Sequence, residues 1–436
     1  MNFKDLKLSN QIVEAIEKKG YTGATPIQEL SIPIILDKKD MIGLAQTGTG
    51  KTAAFSLPIL DILQREYKPD RKIKVLILSP TRELAIQIRD NIVEYAEGTS
   101  FKCSVILGGV NQNSQKTVLK KGIDILVATP GRLLDLIRQK KADMSQVSML
   151  VLDEADTMLD MGFIKDIKSI IEKTPKQRQT LLFSATMSPE IKSLSKQFMN
   201  NPVVIQTKTE EVPADRIVQE LYYVDKKNKS KLLLDLISTK EKPSTLIFTR
   251  TKHGANKLAE ELAVYQIKTS VIHGNKTQSN RVKALQDFKT GKTRIMIATD
   301  IAARGIDIND LGLVINYDIP EKPELYVHRI GRTARAGKLG KAISLCNSAE
   351  VKDLRAIEKM IQSDIEVVEH KYPMILKEMK PTQKKQNRKK LPKKEETISQ
   401  KTNINKSFKK DYRGNKRVKP AKKIVNKKYR KESTNV

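Results

Sequence analysis

Two short stretches, about a hundred residues apart, carry the residue types that phosphoryl transfer to water requires. The first is Ala45-Gln46-Thr47-Gly48-Thr49-Gly50-Lys51-Thr52. It follows the apolar run Met41-Ile42-Gly43-Leu44 and opens a helical pattern. Glycines there let backbone N–H groups close on phosphates at a helix N-terminus. Lys51 is placed to reach the β and γ phosphates, and the Thr52 hydroxyl to ligate Mg²⁺. Ala45 stands where the strict pattern has glycine. The second stretch, Asp153-Glu154-Ala155-Asp156, ends the apolar run Met149 to Leu152. Carboxylates at the carboxyl edge of a parallel sheet face the crevice that holds such a phosphate loop. Asp153 is expected to hold Mg²⁺ through water, and Glu154 to orient and deprotonate the attacking water. A second GKT, in Thr290-Gly291-Lys292-Thr293, precedes a strand pattern rather than following one, and reads as a helix-to-strand turn.

Placing these groups needs a parallel α/β frame. Short apolar runs recur at Val75–Leu78, Ile125–Ala128, Met149–Leu152 and Thr180–Phe183, separated by helical patterns. Continuous apolar strands between helices predict a parallel sheet covered on both faces. Near the start, Ser9 reads as a helix N-cap and Gly20 as a stop. A polar stretch with Pro213 follows, and the rhythm restarts at Leu246–Phe248, Ser270–Ile272, Ile295–Ala298, Leu313–Ile315 and Ala342–Leu345. The expected organisation is a domain over 1–206, a linker at 207–216, a second α/β domain over 217–376 and a tail over 377–436.

The chain has 436 residues, enough for two cores, with 39% hydrophobic residues. Its formal net charge is +31. From Lys377 onward there are 23 Lys and Arg against 5 Asp and Glu, so that segment carries +18 and the rest +13. Both parts are basic, which points to a polyanion. The tail is too polar to bury a core and is expected to be disordered. Its Lys residues, with Phe408, Tyr412 and Tyr429 spaced among them, predict a flexible RNA anchor, with acidic protein surfaces as the alternative partner. Only Cys103 and Cys346 are present, so a disulfide framework is excluded. The four histidines show no ligand spacing. No apolar run reaches 18 residues and the N-terminus lacks an apolar signal region, so the expectation is a cytoplasmic protein without a membrane partner.

Further motifs follow in a fixed order: Phe3, then Gly20-Tyr21-Thr22-Gly23-Ala24-Thr25-Pro26-Ile27-Gln28; Pro80-Thr81-Arg82-Glu83-Leu84; Gly108-Gly109; Thr129-Pro130-Gly131-Arg132; Ser184-Ala185-Thr186; Phe248-Thr249-Arg250-Thr251; His273-Gly274 with Gln278 and Arg281; Ala298-Thr299-Asp300 with Arg304 to Asp307; and His328 to Arg335. With the phosphate loop and the acidic tetrad, this set resembles the DEAD-box ATP-dependent RNA helicases over about residues 3 to 350. The resemblance implies two tandem RecA-like domains of the P-loop NTPase class and ATP hydrolysis with Mg²⁺. It implies that Gln28 reads adenine, as a side-chain amide can, and that Tyr21 stacks on the base. Ser184 and Thr186 resemble the motif coupling hydrolysis to domain movement, and His328 a bridge between motifs. Arg332 and Arg335 resemble arginine fingers, which one helical turn would present together. Asp307 resembles the ribose contact, with Gly305 beside it. Thr81, Arg82, Gly109, Thr129, Gly131 and Arg132 match positions on the RNA backbone, completed by Arg250, Arg281 and Thr299. None of these reads bases, so binding should be largely sequence-independent.

Two positions depart from the family pattern. Ala24 replaces a usual Pro, and Ala334 a usual Gly between the two arginines. A helical segment would tolerate Ala334; a positive φ would not. The rival readings are a DNA helicase or translocase, which Gln28 and Asp156 disfavour, and a non-catalytic RNA clamp, which Lys51, Glu154, Arg332 and Arg335 disfavour. The resemblance is to bacterial members with a short basic tail, acting as monomers. Ribosome assembly, mRNA decay and cold adaptation all remain compatible settings.

Overall fold

The computed structural model describes residues 1–374 apart from 47, 68–69, 208–216, 239–242, 305, 307, 309–310 and 334–339. The basic tail and most of the expected linker therefore lie outside the described residues.

Two seven-stranded parallel sheets form the frame. The first holds β1 (Met41–Leu44), β2 (Val75–Leu78), β3 (Cys103–Ile106), β4 (Ile125–Ala128), β5 (Met149–Leu152), β6 (Gln179–Ser184) and β7 (Val203–Gln206). The second holds β8 (Ile217–Tyr223), β9 (Thr245–Phe248), β10 (Thr269–Ile272), β11 (Ile295–Ala298), β12 (Leu313–Asn316), β13 (Gly340–Cys346) and β14 (Glu366–Val367). The first sheet is ordered β3-β4-β2-β5-β6-β1-β7 and the second β10-β11-β9-β12-β13-β8-β14. Adding seven to each strand number of the first order gives the second, so the two domains repeat one topology.

The apolar runs become central strands because alternate side chains serve two cores. Val75, Ile77, Ile125 and Val127 enter one cluster, while Leu76, Leu78, Leu126 and Ala128 enter the cluster on the opposite face. Helices cover both faces, so every backbone group of these buried strands is paired within the sheet. The second GKT does form the turn between the helix Gln278–Lys289 and β11, with Gly291 at φ +74°.

Beneath the second domain's carboxyl edge lies a buried ionic knot. Arg329 is 2% exposed and its guanidinium forks onto Asp300, with Nη2 to Oδ2 at 2.8 Å. It also donates to Asn316 Oδ1 (2.9 Å) and the Asp318 carbonyl (2.8 Å), and it lies 4.9 Å from the Phe248 ring centre. Removing one partner of such a pair strands the other, at a cost of about 3–5 kcal/mol. Arg329→Ala is therefore expected to lower the urea midpoint of the second domain by that equivalent, and Arg329→Lys, lacking the planar fork, to recover little of it. A midpoint within experimental error of the parent would overturn this account.

One expectation needs correction here. The helix Pro323–Ile330 ends before Arg332, so Arg332 is not carried on that helix. Thr333 instead pairs with Leu311 as a parallel bridge, and the Leu311 N–H donates to the Arg332 carbonyl at 3.2 Å. The Arg332 and Thr333 N–H groups donate to the Arg329 (3.2 Å) and Ile330 (3.0 Å) carbonyls, three residues back, as a turn rather than an α-helix. Ala334 and Arg335 lie outside the described residues.

Candidate active site and nucleic-acid interface

The phosphate loop leaves β1 at the carboxyl edge and turns into the helix Lys51–Glu66. Gly50 sits at φ +91°, and a Cβ there would collide with the Gln28 amide, so this turn requires glycine. Lys51 is nearly buried and its ammonium donates to the Ala45 carbonyl at 3.0 Å, spanning the mouth of the loop. The loop is fastened from behind by the segment Tyr21–Gln28. The Thr25 hydroxyl donates to the Thr49 carbonyl (2.8 Å), and Gln28 Nε2 donates to the Gly50 carbonyl (3.1 Å). Gln28 Oε1 accepts from the Thr25 N–H at 2.9 Å. Gln28 is thus a buried brace of the loop rather than a surface helix residue, with one N–H and one lone pair left for a further partner. Tyr21 stands beside it with its hydroxyl 2.7 Å from that of Tyr95, and the buried Phe3 packs edge-on at 6.0 Å between ring centres. The remaining loop residues, Gln46, Gly48 and Thr49, run where the sequence placed them; Thr47 lies outside the described residues.

Across the sheet, β5 delivers the tetrad to the same edge. Asp153 is 2% exposed. Burial pushes its carboxyl up to about 7; Lys51 pulls it down, while Glu154 and Asp156 push it further up. The buried Asp153 carboxylate and the Thr52 hydroxyl, both at the carboxyl edge of this sheet, are oxygen donors of the kind a hard divalent cation takes, and such a cation would supply the missing counter-charge. Glu154 adopts φ +48° and ψ +53°, a left-handed conformation unusual for a side-chain-bearing residue, and its N–H donates to Asp153 Oδ1 at 3.0 Å. Asp156 turns to the coupling motif: its Oδ2 accepts from the N–H groups of Ala185 (2.9 Å) and Thr186 (3.1 Å) and from the Thr186 hydroxyl (3.5 Å). The Ser184 hydroxyl, at the end of β6, donates to the Thr186 carbonyl at 2.8 Å.

The second domain meets this edge. His328 keeps solvent access but stands among charged groups of both domains. Desolvation lowers its pKa, Asp156 and Glu154 raise it, and Arg304 and Arg332 lower it. The Arg332 guanidinium donates to the Ile306 carbonyl at 2.9 Å. Arg304 donates to Asp160 at 3.0 Å, tying the second domain to the helix Ala155–Asp160 that begins within the tetrad. Gly305, Asp307 and Arg335 lie outside the described residues.

The candidate RNA residues fall on the other half of both sheets. Thr81, Gly109 and Thr129 follow β2, β3 and β4, and Arg250 and Thr299 follow β9 and β11. Thr81 caps the helix Arg82–Tyr95, accepting from the Leu84 N–H at 3.3 Å, and Thr129 begins the helix Pro130–Arg138, which carries Gly131 and Arg132. Gly109 has φ +70° and faces Arg82 so closely that a Cβ would strike the guanidinium. The Arg82 pKa is lowered by burial first, then by Arg281 and Arg132, with Glu83 opposing. The charges of Arg281, from the second domain, and Arg132 therefore act on Arg82, with the Glu83 carboxylate opposing them. Two of the expected phosphate anchors are already engaged. Arg281 is buried and pairs with Glu83 of the first domain at 2.7 Å, while Gln278 donates to the other Glu83 oxygen at 2.9 Å. Arg250 donates to the Ile319 carbonyl (2.9 Å) and meets Asp353 and Glu321 at 3.3 Å each.

Comparison with known proteins agrees with this geometry. Residues 25–194 match the DEAD/DEAH box helicase family model, and 228–337 the helicase conserved C-terminal domain. The ATP-dependent RNA helicase CshA of Limosilactobacillus reuteri is 44% identical over 83% of this chain and 72% of its own length. The chain belongs to the DEAD-box RNA helicase family. A second relative of this family, the ATP-dependent RNA helicase DbpA of Bacillus subtilis, is 41% identical over 84% of this chain and 76% of its own. Among solved structures, S. cerevisiae Dbp5 bound to RNA and ADP BeF3 is 31% identical, with a TM-score of 0.74, 84% of this chain covered and 95% of that one. The two repeated sheets are thus the tandem RecA-like domains of a DEAD-box protein.

Thr25, Glu83 and Arg329 lie inside the motifs read from the sequence, but no role was read for them there, because their partners lie 24, 198 and 29 residues away. Asp160 lies outside every motif, and its partner Arg304 is 144 residues on.

Proposed function

We propose that the chain is an ATP-dependent RNA helicase in which RNA stimulates ATP hydrolysis and the two domains close around both ligands. The observation that carries this reading is the ion pair of Arg304, from the second domain, with Asp160 of the first at 3.0 Å, beside His328, which feels Asp156 and Glu154 of the first domain. A complete hydrolytic site needs residues from both domains, so turnover depends on their approach. In this reading Gln28 and Tyr21 select adenine, and Gly305 and Asp307 approach the ribose. Lys51 and the loop N–H groups hold the phosphates. Glu154 takes the proton of the attacking water, and Arg332 with Arg335 meets charge developing on the γ phosphate. Mg²⁺, held by Thr52 and through water by Asp153, would neutralise phosphate charge. Thr186 and Asp156 transmit the change toward the cleft.

Backbone RNA contacts fall to Thr81, Arg82, Gly109, Thr129, Gly131, Arg132 and Thr299, with Arg281 and Arg250 acting through the ion pairs they already make. Segment 207–216 serves as the linker between domains 1–206 and 217–376, and 377–436 adds salt-dependent affinity. The protein would act as a cytoplasmic monomer on RNA or RNA–protein substrates, in ribosome assembly or mRNA decay. Among the described residues no helix is long and apolar enough to cross a membrane.

Phosphate release measured with single-stranded RNA, single-stranded DNA or neither tests the reading. RNA alone is expected to stimulate turnover. Equal stimulation by DNA would favour a DNA translocase, and no turnover with any of them a non-catalytic clamp. In the same experiment, removing 377–436 should reduce the salt slope of RNA binding; an unaltered slope assigns the tail elsewhere.

A further inference from the structure

The helix Arg82–Tyr95 touches both halves of the site with its two ends. Its 14 residues span about 20 Å at 1.5 Å per residue. At the N-terminal end are Arg82, beside Gly109, and Glu83, which holds Arg281 and Gln278 of the second domain. At the C-terminal end Tyr95 is buried at 2% exposure and its hydroxyl bonds that of Tyr21 at 2.7 Å. The two rings meet edge to face at 6.2 Å, and Lys19 lies 5.1 Å from the Tyr95 ring centre. Tyr21 opens the short segment whose Thr25 and Gln28 brace the carbonyls of Thr49 and Gly50.

Physical contacts therefore run without a break from the interdomain ion pair to the phosphate loop. A helix transmits displacement along its axis because its backbone bonds resist stretching. The buried phenol at its far end is the point where that displacement reaches the nucleotide side. We propose that Tyr95 is a positioning residue that couples RNA-driven engagement of Glu83 by the second domain to the affinity for ATP, through its hydroxyl bond to Tyr21. This rests on the reading that RNA draws the domains together and that Tyr21 lines the base pocket. By linkage, the factor by which RNA tightens ATP binding equals the factor by which ATP tightens RNA binding.

The test uses the full chain and a fluorescent non-hydrolysable ATP analogue, titrated with and without saturating single-stranded RNA. Tyr95→Phe keeps the buried ring and deletes the bond. It is expected to leave the RNA-free Kd within about twofold and to reduce the RNA-induced tightening by about fivefold or more. Tyr21→Phe breaks the same bond from the more exposed side and should give the same loss, and the double variant no further loss. An unchanged coupling factor in both single variants, or losses that add, would overturn the proposal. A purely structural role would lower the melting temperature without moving that factor, and counts against it equally. Tyr21→Ala separates the underlying reading: if the RNA-free Kd does not rise, Tyr21 does not stack on the base, whatever the two phenylalanine variants show.

Discussion

Arg332→Ala is expected to cut RNA-stimulated ATP turnover by about 10³–10⁵-fold while leaving ATP bound. The size follows from where the charge acts. Arg332 is anchored by its bond to the Ile306 carbonyl, on the second domain, and lies close enough to His328 to depress its pKa alongside Arg304. On the proposed function a cation so placed contributes little to the ground state, in which Lys51 would serve the phosphates. It acts when charge spreads over the transferring group. Arg332→Lys should recover only a small part, because one ammonium cannot keep the Ile306 bond and also offer a planar fork. Single-turnover phosphate release, with nucleotide affinity measured in parallel, decides the matter. A turnover rate within tenfold of the parent would remove Arg332 from the hydrolytic step.

Glu154→Gln is expected to lower turnover by about 10²–10⁴-fold, the usual contribution of a positioned general base. The backbone at this position carries its own indication. A non-glycine residue at φ +48° costs on the order of 1 kcal/mol, and such strain persists where the surroundings require it. Here it lets the chain reverse at once from β5 into the helix Ala155–Asp160, so that neighbouring carboxylates diverge. Asp153 and Glu154 are buried, and Asp156 turns to Ala185 and Thr186. Glutamine keeps the shape and loses the basicity, so ATP and RNA should still bind and the stalled complex should accumulate. Normal multiple-turnover hydrolysis by this variant would refute the assignment.

Much of this was readable from residues alone, and for identifiable reasons. Runs such as Val75–Leu78 and Ile125–Ala128 are apolar at every position because both faces are covered, so their boundaries coincide with the strands. The outlying strands were harder. Cys103–Ile106 is only half buried at the sheet's edge, Val204 of β7 is exposed, and β14 has two residues, so none offers a continuous apolar run. The phosphate loop and tetrad were legible because local backbone chemistry dictates their composition. Ion pairs were not. Nothing in the neighbourhood of Glu83 shows that its partner lies 198 residues on, nor does the spacing of Arg332 and Arg335 show that a bridge to Leu311 ends the helix first. Arg281 and Arg250 were read as free anchors because a sequence displays charge but not what has already neutralised it.

The action of the Arg132 and Arg281 charges on Arg82 has a thermodynamic consequence. Like charges gathered from two domains repel, so part of the work of joining the domains is electrostatic, and a polyanion laid across them removes that work. On the proposed function RNA would behave as a counter-ion for an intramolecular association, and its affinity would contain the cost of assembling its own binding site. Strengthening the bare contact between the domains, for example by replacing Arg132 while keeping the Arg281–Glu83 pair, would shift that equilibrium before RNA arrives. The gain would be a more readily assembled site, and the loss would be its dependence on RNA.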